Sequence, residues 1–296
     1  MKILIAAAHF PVASGRFIAR AFRRLGHDVR TVGPAMGNEI WGMKVEEKHV
    51  WNPDWVYGVD GVVSITNPDD AGWIPDLEIT ADCGFTITSG IDCPHVVWGM
   101  DNHVRRYDMI TFDAYFLAHS WANHSDEPKF NWLPPCYDPE AHTDLVLADR
   151  PVDVGMVAVA YQERIDMVGK FMASNVEVKA CTGLLWEEYN MAYNLTKIAL
   201  VKSMCGDLTQ RFFEGMAQGC CVLADRVVDA EKLGFIAGVD YWTYSTPDEA
   251  VREAKMLIDT GLYKTIAKNG QNKVRSFHHT WDDRALKLLE TMGMNK

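Results

Sequence analysis

The first 33 residues carry the pattern of a strand, a helix and a second strand. Residues 2–8 are an apolar run typical of a buried strand, residues 16–25 have the spacing of an amphipathic helix closed by Gly26, and residues 27–32 read as the next strand. A strand–helix–strand unit makes its two strands parallel, and parallel sheets are covered by helices on both faces. The opening of the chain therefore predicts an α/β fold.

A second series of the same kind begins after a turn-rich stretch at residues 133–139. Residues 152–157 read as a new first strand. Further strands are predicted at 61–65, 95–98, 114–118, 176–180, 198–201 and 221–224, and helices at 163–174, 186–194, 210–218, 247–260, 261–276 and 281–292. The Trp- and Pro-rich segment between residues 52 and 76 is predicted to be mainly loop. The simplest interpretation is two Rossmann-like domains, 1–149 and 150–296.

Composition limits the class of protein. The 296 residues carry a net charge of −11, which argues against a surface built around phosphate-binding lysines. Seven cysteines occur without a C-x-x-C pair, which is typical of reduced thiols in a cytoplasmic protein. The apolar run at the N-terminus is too short for a secretory signal, and no later run is long enough to span a bilayer.

The stretch from Arg211 to Asp225 places one carboxylate, Glu214, inside an apolar helical run that ends at Gly219 and continues as a strand. A buried carboxylate is costly unless donors satisfy it, and the hydroxyl groups of a ligand would supply them. The alternative is an exposed ion pair between Glu214 and Arg211, one helical turn earlier.

The pattern R-F-F-E-G-M-A-Q-G resembles the nucleotide-sugar motif of group 1 glycosyltransferases, and is closest to their spore-maturation (CgeB-like) branch. The resemblance covers nearly the whole chain and is strongest over residues 94–139 and 151–289. Its other motifs follow in the family's order and at natural spacing: W-G-M-D at 98–101, D-V-G at 153–155, E-R at 163–164, K-I at 197–198, F-x-x-G-x-D-Y at 235–241, D-E-A at 248–250 and H-T-W-x-x-R at 279–284. This implies the GT-B fold, in which two Rossmann-like domains face a central cleft.

The resemblance also implies a function, the transfer of a sugar from a nucleotide diphosphate donor, most simply a UDP-sugar, to an acceptor hydroxyl. The C-terminal domain would hold the donor and the N-terminal domain the acceptor. Glu214 would bind the ribose, and Arg164 and Lys197 the diphosphate, unless they are solvated charges at helix ends. The other predicted donor-binding residues lie at helix N-termini, which favour anions: Ser14, Gly15, Thr209, Gln210 and Arg211. For Ser14, capping the first helix is the alternative role.

The chain departs from the family at one catalytic position. Many group 1 enzymes carry a second glutamate eight residues before the first, and Gly206 stands there, beside Asp207. A protein that binds a nucleotide sugar without turning it over is therefore a second hypothesis.

On the acceptor side, Asp101 and His103 follow a predicted buried strand, at the edge where open α/β sheets bind ligands. Asp101 is the first choice for the catalytic base, ahead of His103 and His9, and helix capping is its alternative role. The acceptor would be a glycan or a small molecule. Modified DNA is the other possibility, because Arg16, Arg20, Arg23 and His27 share one helical face, although such a face is usually only solvated.

Absent motifs narrow the chemistry further. No D-x-D triplet, P-loop or G-x-G-x-x-G occurs, which disfavours metal-dependent diphosphate binding, ATPase activity and dehydrogenase activity. We therefore expect a metal-independent transferase that uses the nucleotide sugar as its co-substrate and needs no cofactor.

Overall fold

The computed structural model describes residues 1–35, 45–57, 63–65, 70, 72–81, 89–101, 112–122 and 129–294. These residues form two compact units. The first contains the described residues up to Pro134 together with those from Trp281 onward, and the second is Pro135–Thr280.

The first unit is built on an eight-stranded sheet in the order β4-β3-β2-β1-β5-β6-β7-β8. All neighbours are parallel except β3 and β4. The apolar segment Ile3–Ala6 is fully buried at its centre. The strands are β1 (Lys2–Ala6), β2 (Asp28–Gly33), β3 (Trp55–Tyr57), β4 (Val63–Ile65), β5 (Leu77–Ala81), β6 (His95–Gly99), β7 (Ala114–Leu117) and β8 (Phe130–Trp132), with helix α1 (Ser14–Arg24) between β1 and β2.

The second unit is a five-stranded, fully parallel sheet in the order β10-β9-β11-β12-β13, with helices between its strands. Its strands are β9 (Val152–Val157), β10 (Val178–Cys181), β11 (Thr196–Val201), β12 (Cys221–Asp225) and β13 (Trp242–Tyr244). Its helices are α2 (Gln162–Met172), α3 (Trp186–Asn194), α4 (Gln210–Ala217), α5 (Val228–Lys232), α6 (Pro247–Thr260) and α7 (Tyr263–Ser276). Both units are thus Rossmann-like, as the sequence predicts.

The division between the units differs from the predicted boundary near residue 149. The segment after Pro134 packs with the second unit, where Arg150 donates to the carbonyls of Tyr193, Thr196 and Gln218. The last helix, α8 (Trp281–Thr291), belongs to the first unit and packs on α1. Arg24 at the end of α1 forms a bidentate ion pair with Asp282 on α8, with a shortest contact of 2.6 Å.

Strand β5 lies beside β1 at the centre of the first sheet, although the sequence pattern does not predict it. Its second residue is a buried glutamate, Glu78, which interrupts the apolar run. The Glu78 carboxylate accepts from the backbone N–H and the hydroxyl of Ser89, and His95 Nε2 lies 3.8 Å from it. The cost of burying this carboxylate is therefore offset by two donors from Ser89. Strand β3 likewise replaces part of the loop predicted between residues 52 and 76, whereas β4 lies within the strand predicted at 61–65.

Two other structural observations bear on the nature of the chain. Within the described ranges, no helix is long and apolar enough to cross a membrane. The six cysteines in those ranges all carry free thiols.

Candidate donor site

The carboxyl ends of the second unit's parallel strands meet at one edge, where open α/β sheets bind ligands. Helix α4 begins nine residues after β11 ends and returns the chain to β12. Its apolar face is fully buried, with Phe213, Met216 and Ala217 at 0% exposure. The helix is therefore fixed by packing, and its amino-terminal turn is held near this edge.

Glu214 is buried in α4, at 6% exposure. Tyr189 on α3 donates its hydroxyl to Oε2 of Glu214, and His142 Nε2 lies 3.4 Å from Oε1. Burial, together with the Glu214 charge, raises the pKa of Tyr189 well above its usual value, so the hydroxyl remains a donor. Arg211 is not the partner of Glu214, so the alternative of a simple surface ion pair does not describe this residue.

Arg164 and Arg211 bring two guanidinium groups together near the start of α4. Arg164 is buried and donates to the carbonyls of Val159 (3.1 Å) and Lys202 (3.2 Å). Burial first, and the charge of Arg211 second, lower the pKa of Arg164. Within the described part of the chain, Arg211 has neither a hydrogen bond nor an ion pair. An anion placed here would relieve the repulsion between the two cations.

The amino end of α4 adds further unused polar groups. Thr209 precedes the helix in an extended conformation, and its side chain makes no capping hydrogen bond. Thr209 Oγ1 and Gln210 Nε2 are both enclosed, and neither has a partner among the described residues. A helix also leaves its first N–H groups unpaired, and its dipole favours negative charge there. The arrangement is suited to binding phosphate.

The structure does not place Lys197, predicted to bind the diphosphate, at the carboxyl edge with Arg164 and Arg211. Thr196 pairs with Val152, so Lys197 lies at the amino edge of the sheet, opposite the edge described above. Its Nζ binds Asp153 Oδ1 at 2.6 Å, and this bond raises the pKa of Lys197. Lys202, which immediately follows β11, is the lysine at the carboxyl edge. Its Nζ lies 3.1 Å from Asp225 and 3.7 Å from Glu163.

The position of the absent second glutamate is a turn. Gly206 has a φ of +73°, a conformation that favours glycine. The adjacent Asp207 accepts from the backbone N–H groups of Met204 (2.7 Å) and Cys205 (3.0 Å) through Oδ1. Asp207 thus stabilises this turn, and sequence reasoning had identified it only by its position beside Gly206.

Ser14 and Gly15 lie in the first unit, at the start of α1. The residue that caps this helix is Ala13, so Ser14 is not its N-cap. A Cβ atom built on Gly15 would lie 2.4 Å from Ala7 Cβ and 3.4 Å from Trp51. Gly15 is therefore required for packing α1 against the end of β1, and its contact with the donor stays a prediction.

Asp101 lies two residues beyond β6, at the carboxyl edge of the first sheet, and is exposed. His103 lies outside the described residues. His9 follows β1 at the same edge and is buried. Its Nδ1 lies 2.9 Å from the Ala7 carbonyl, and its ring lies against that of Trp51, with centroids 3.9 Å apart and planes tilted by 33°. Burial lowers the pKa of His9 to about 4.

The basic face of α1 is engaged within the first unit. Arg16 donates to the carbonyls of Pro11 (3.0 Å) and His49 (2.7 Å). Arg23 donates to the carbonyl of Val29 and lies 3.5 Å from Asp54. These contacts weaken the hypothesis of a phosphate-binding stripe for DNA.

No group of three or more His, Cys, Asp or Glu side chains is arranged to hold a metal ion in the ranges that the structure describes.

The architecture of the chain is similar to that of several solved structures. The HepE protein of Anabaena, solved with UDP and glucose, matches with a TM-score of 0.68 at 13% identity, over 100% of both chains. A sucrose-phosphate synthase from Thermosynechococcus elongatus matches with a TM-score of 0.67 at 11% identity, over 99% of this chain and 98% of the other. An α-glucosyltransferase solved with UDP-glucose and DNA matches with a TM-score of 0.61 at 10% identity, over 100% of both chains. The chain therefore has the GT-B glycosyltransferase fold.

The family comparison covers most of the candidate site. Residues 156–290, slightly under half of the chain, match the family described as glycosyl transferase-like. This range contains Arg164, Tyr189, Arg211 and Glu214, whereas His142 precedes it. No curated protein matches the chain by sequence.

Proposed function

We propose that the protein is a glycosyltransferase that moves a sugar from a UDP-linked donor, bound by the second unit, to an acceptor hydroxyl. The observation that carries this proposal is the combination of Glu214 with Arg164 and Arg211 on and beside one helix. Glu214 lies four residues inside the start of α4, which is roughly 6 Å along the helix axis. A ribose with its 5′-diphosphate spans such a distance, with the ribose at Glu214 and the phosphates at the guanidinium groups.

The charges of the site support a diphosphate over a neutral ligand. Arg211 has no carboxylate partner in the described ranges, and Thr209 and Gln210 hold unused polar atoms beside it. In the transfer step the acceptor oxygen bonds to the anomeric carbon, the bond from that carbon to the diphosphate breaks, and the leaving diphosphate gains charge. Preorganised cations and N–H groups stabilise such charge.

The acceptor side of the proposal rests on the first unit. Asp101 is proposed to take the proton of the acceptor hydroxyl, from its position just beyond β6. We favour a glycan or a small molecule as the acceptor. Two of the α1 arginines that a DNA acceptor would require, Arg16 and Arg23, already bind carbonyl groups of this unit. The finer assignment to the spore-maturation branch rests on the R-F-F-E-G motif.

The test is calorimetric titration with UDP, ADP, GDP and their sugar conjugates, followed by assays of donor hydrolysis and transfer. UDP is expected to bind, and Glu214→Gln is expected to bind it about tenfold more weakly, because a hydrogen bond to a charged group contributes roughly 1.5–3 kcal/mol. Failure of every nucleoside diphosphate to bind would overturn the proposal. Binding without hydrolysis or transfer would favour the non-catalytic hypothesis that Gly206 leaves open.

Metal independence has its own test. Activity is expected to survive excess EDTA, since arginine side chains and helix N–H groups are proposed to bind the diphosphate. Loss of activity in EDTA that manganese restores would show that a metal ion supplies this charge instead.

A further inference from the structure

His142 contacts the candidate ribose-binding carboxylate, although no motif marks this histidine. It lies 72 residues before Glu214 and is buried, at 5% exposure. Its Nε2 is 3.4 Å from Glu214 Oε1, and its ring meets that of Tyr189 edge to face at 5.7 Å. The three side chains come from a non-regular segment, from α3 and from α4.

The proton position on the imidazole of His142 follows from its other contact. The backbone N–H of Asp138 donates to His142 Nδ1 at 3.0 Å. Because Nδ1 accepts this bond, it carries no proton, and a neutral ring must then carry its proton on Nε2. The Nε2–H group therefore faces Oε1 of Glu214 as a donor.

The segment that carries His142 is held firmly. Its backbone N–H bonds to the Asp138 carbonyl at 2.9 Å. The next residue, Thr143, accepts from and donates to Asn190, and its carbonyl accepts from Asn194 at 2.8 Å. Both asparagines lie on α3, the helix that supplies Tyr189. Since one helix orients both donors, their positions relative to Glu214 are fixed together.

Glu214 retains acceptor capacity despite these two contacts. A carboxylate has about four lone-pair sites, two on each oxygen. Tyr189 occupies one site on Oε2, and His142 Nε2 faces Oε1. The donors therefore fix the plane of the carboxylate and leave one site on each oxygen, which is the geometry that a vicinal diol requires.

We propose that His142 is a positioning residue for ribose recognition: it orients Glu214 so that the carboxylate accepts both hydroxyl groups of the donor's ribose. This inference rests on the proposed function. The contact between His142 and Glu214 would let the site distinguish ribonucleotides from nucleotides that lack the ribose hydroxyls.

The test compares affinities for UDP and 2′,3′-dideoxy-UDP in the wild type, His142→Phe and His142→Gln. The wild type is expected to bind UDP about tenfold or more tightly than the dideoxy analogue. His142→Phe is expected to lose this preference, binding UDP more weakly and the analogue as the wild type does. His142→Gln keeps an N–H donor and is expected to recover most of the preference. His278→Gln, at an exposed position of the same unit, is the control and should change neither affinity.

A purely structural role predicts a different result, an equal weakening for both nucleotides in His142→Phe, and this outcome would overturn the proposal. A double-variant cycle adds a second criterion, because His142→Phe should have little further effect once Glu214→Gln is present. Full additivity of the two changes would contradict the inference.

Imidazole ¹⁵N NMR of the wild type tests the proposal even if His142→Phe does not fold. The proton is expected on Nε2, with a resonance that shifts on adding UDP and shifts less with the dideoxy analogue. A proton on Nδ1, or equal shifts with both ligands, would overturn the inference. If the wild type binds no UDP, the proposed function fails as well, whereas UDP binding with an unchanged ribose preference in His142→Phe would reject only the role of His142.

Discussion

At the scale of single residues, replacing Arg211 is expected to weaken nucleotide binding without lowering the stability of the fold. Arg211→Ala is expected to weaken UDP binding at least tenfold and to leave uridine affinity nearly unchanged, because the guanidinium would contact the diphosphate and not the nucleoside. Stability should not fall, since the side chain has no hydrogen bond or ion pair in the described ranges and lies near Arg164. Calorimetry and thermal unfolding measure the two effects.

The matched control for Arg211 is Lys197→Ala. This lysine is tied to Asp153 at the opposite edge of the sheet, so its loss should leave nucleotide affinity unchanged. If Lys197→Ala weakened UDP binding and Arg211→Ala did not, the location proposed for the diphosphate would be incorrect.

His9 predicts a specific dependence of stability on pH. Its pKa is about 4 in the folded protein and the ordinary value is 6.5, so the unfolded chain binds more protons between these pH values. The stabilisation is therefore fully present above pH 6.5 and is lost as the pH falls toward 4. Its full size is about 3 kcal/mol, at 1.36 kcal/mol per pKa unit.

His9→Gln removes this titration. The difference in free energy of unfolding between wild type and variant should shrink as the pH falls from 6.5 to 4, as measured by urea denaturation. Parallel curves for the two proteins across this range would show that the histidine is not held neutral.

At the scale of elements, replacing each of two helical glycines with alanine is expected to change stability in opposite directions. Gly15→Ala in α1 should destabilise the first unit by about 1–3 kcal/mol, because its Cβ would lie 2.4 Å from the Cβ of Ala7, one residue beyond β1. Gly169→Ala in α2 should stabilise the second unit by roughly 0.5–1 kcal/mol, since Gly169 is exposed and no atom lies within 4 Å of the added carbon. Thermal unfolding of both variants measures the contrast, and equal effects would contradict the packing described for Gly15.

The parallel sheets were predictable from the sequence because apolar strands and amphipathic helices alternate with clear boundaries. Strand β5 was not, because the two donors that allow Glu78 to be buried both come from Ser89, eleven residues further along the chain. The lysine at the carboxyl edge could have been identified, since Lys202 directly follows a predicted strand whereas Lys197 precedes it. His142 could not, because its contact with Glu214 depends on how a non-regular segment packs against α3.

At the scale of the whole molecule, the last helix completes the first unit. Trp281 is fully buried, 6.0 Å from Phe17 and 5.3 Å from Trp98 between ring centroids. Trp281→Ala should lower the free energy of unfolding by about 3–5 kcal/mol, as for other buried tryptophans. Hydrogen exchange is expected to show the loss of protection in β1, β6 and α1, with the second unit unchanged. Uniform loss in both units would contradict the assignment of α8 to the first.

The return of α8 to the first unit has a consequence for biosynthesis. Residues 135–280 contain every strand of the second sheet, so that unit can fold as soon as they leave the ribosome. The strands of the first unit are translated earlier, but Phe17 and Trp98 lack their partner until Trp281 emerges. Domains generally fold in order from the N-terminus during synthesis. Here the unit whose strands are translated first is completed after the other, and its apolar face remains without α8 throughout translation of residues 135–280.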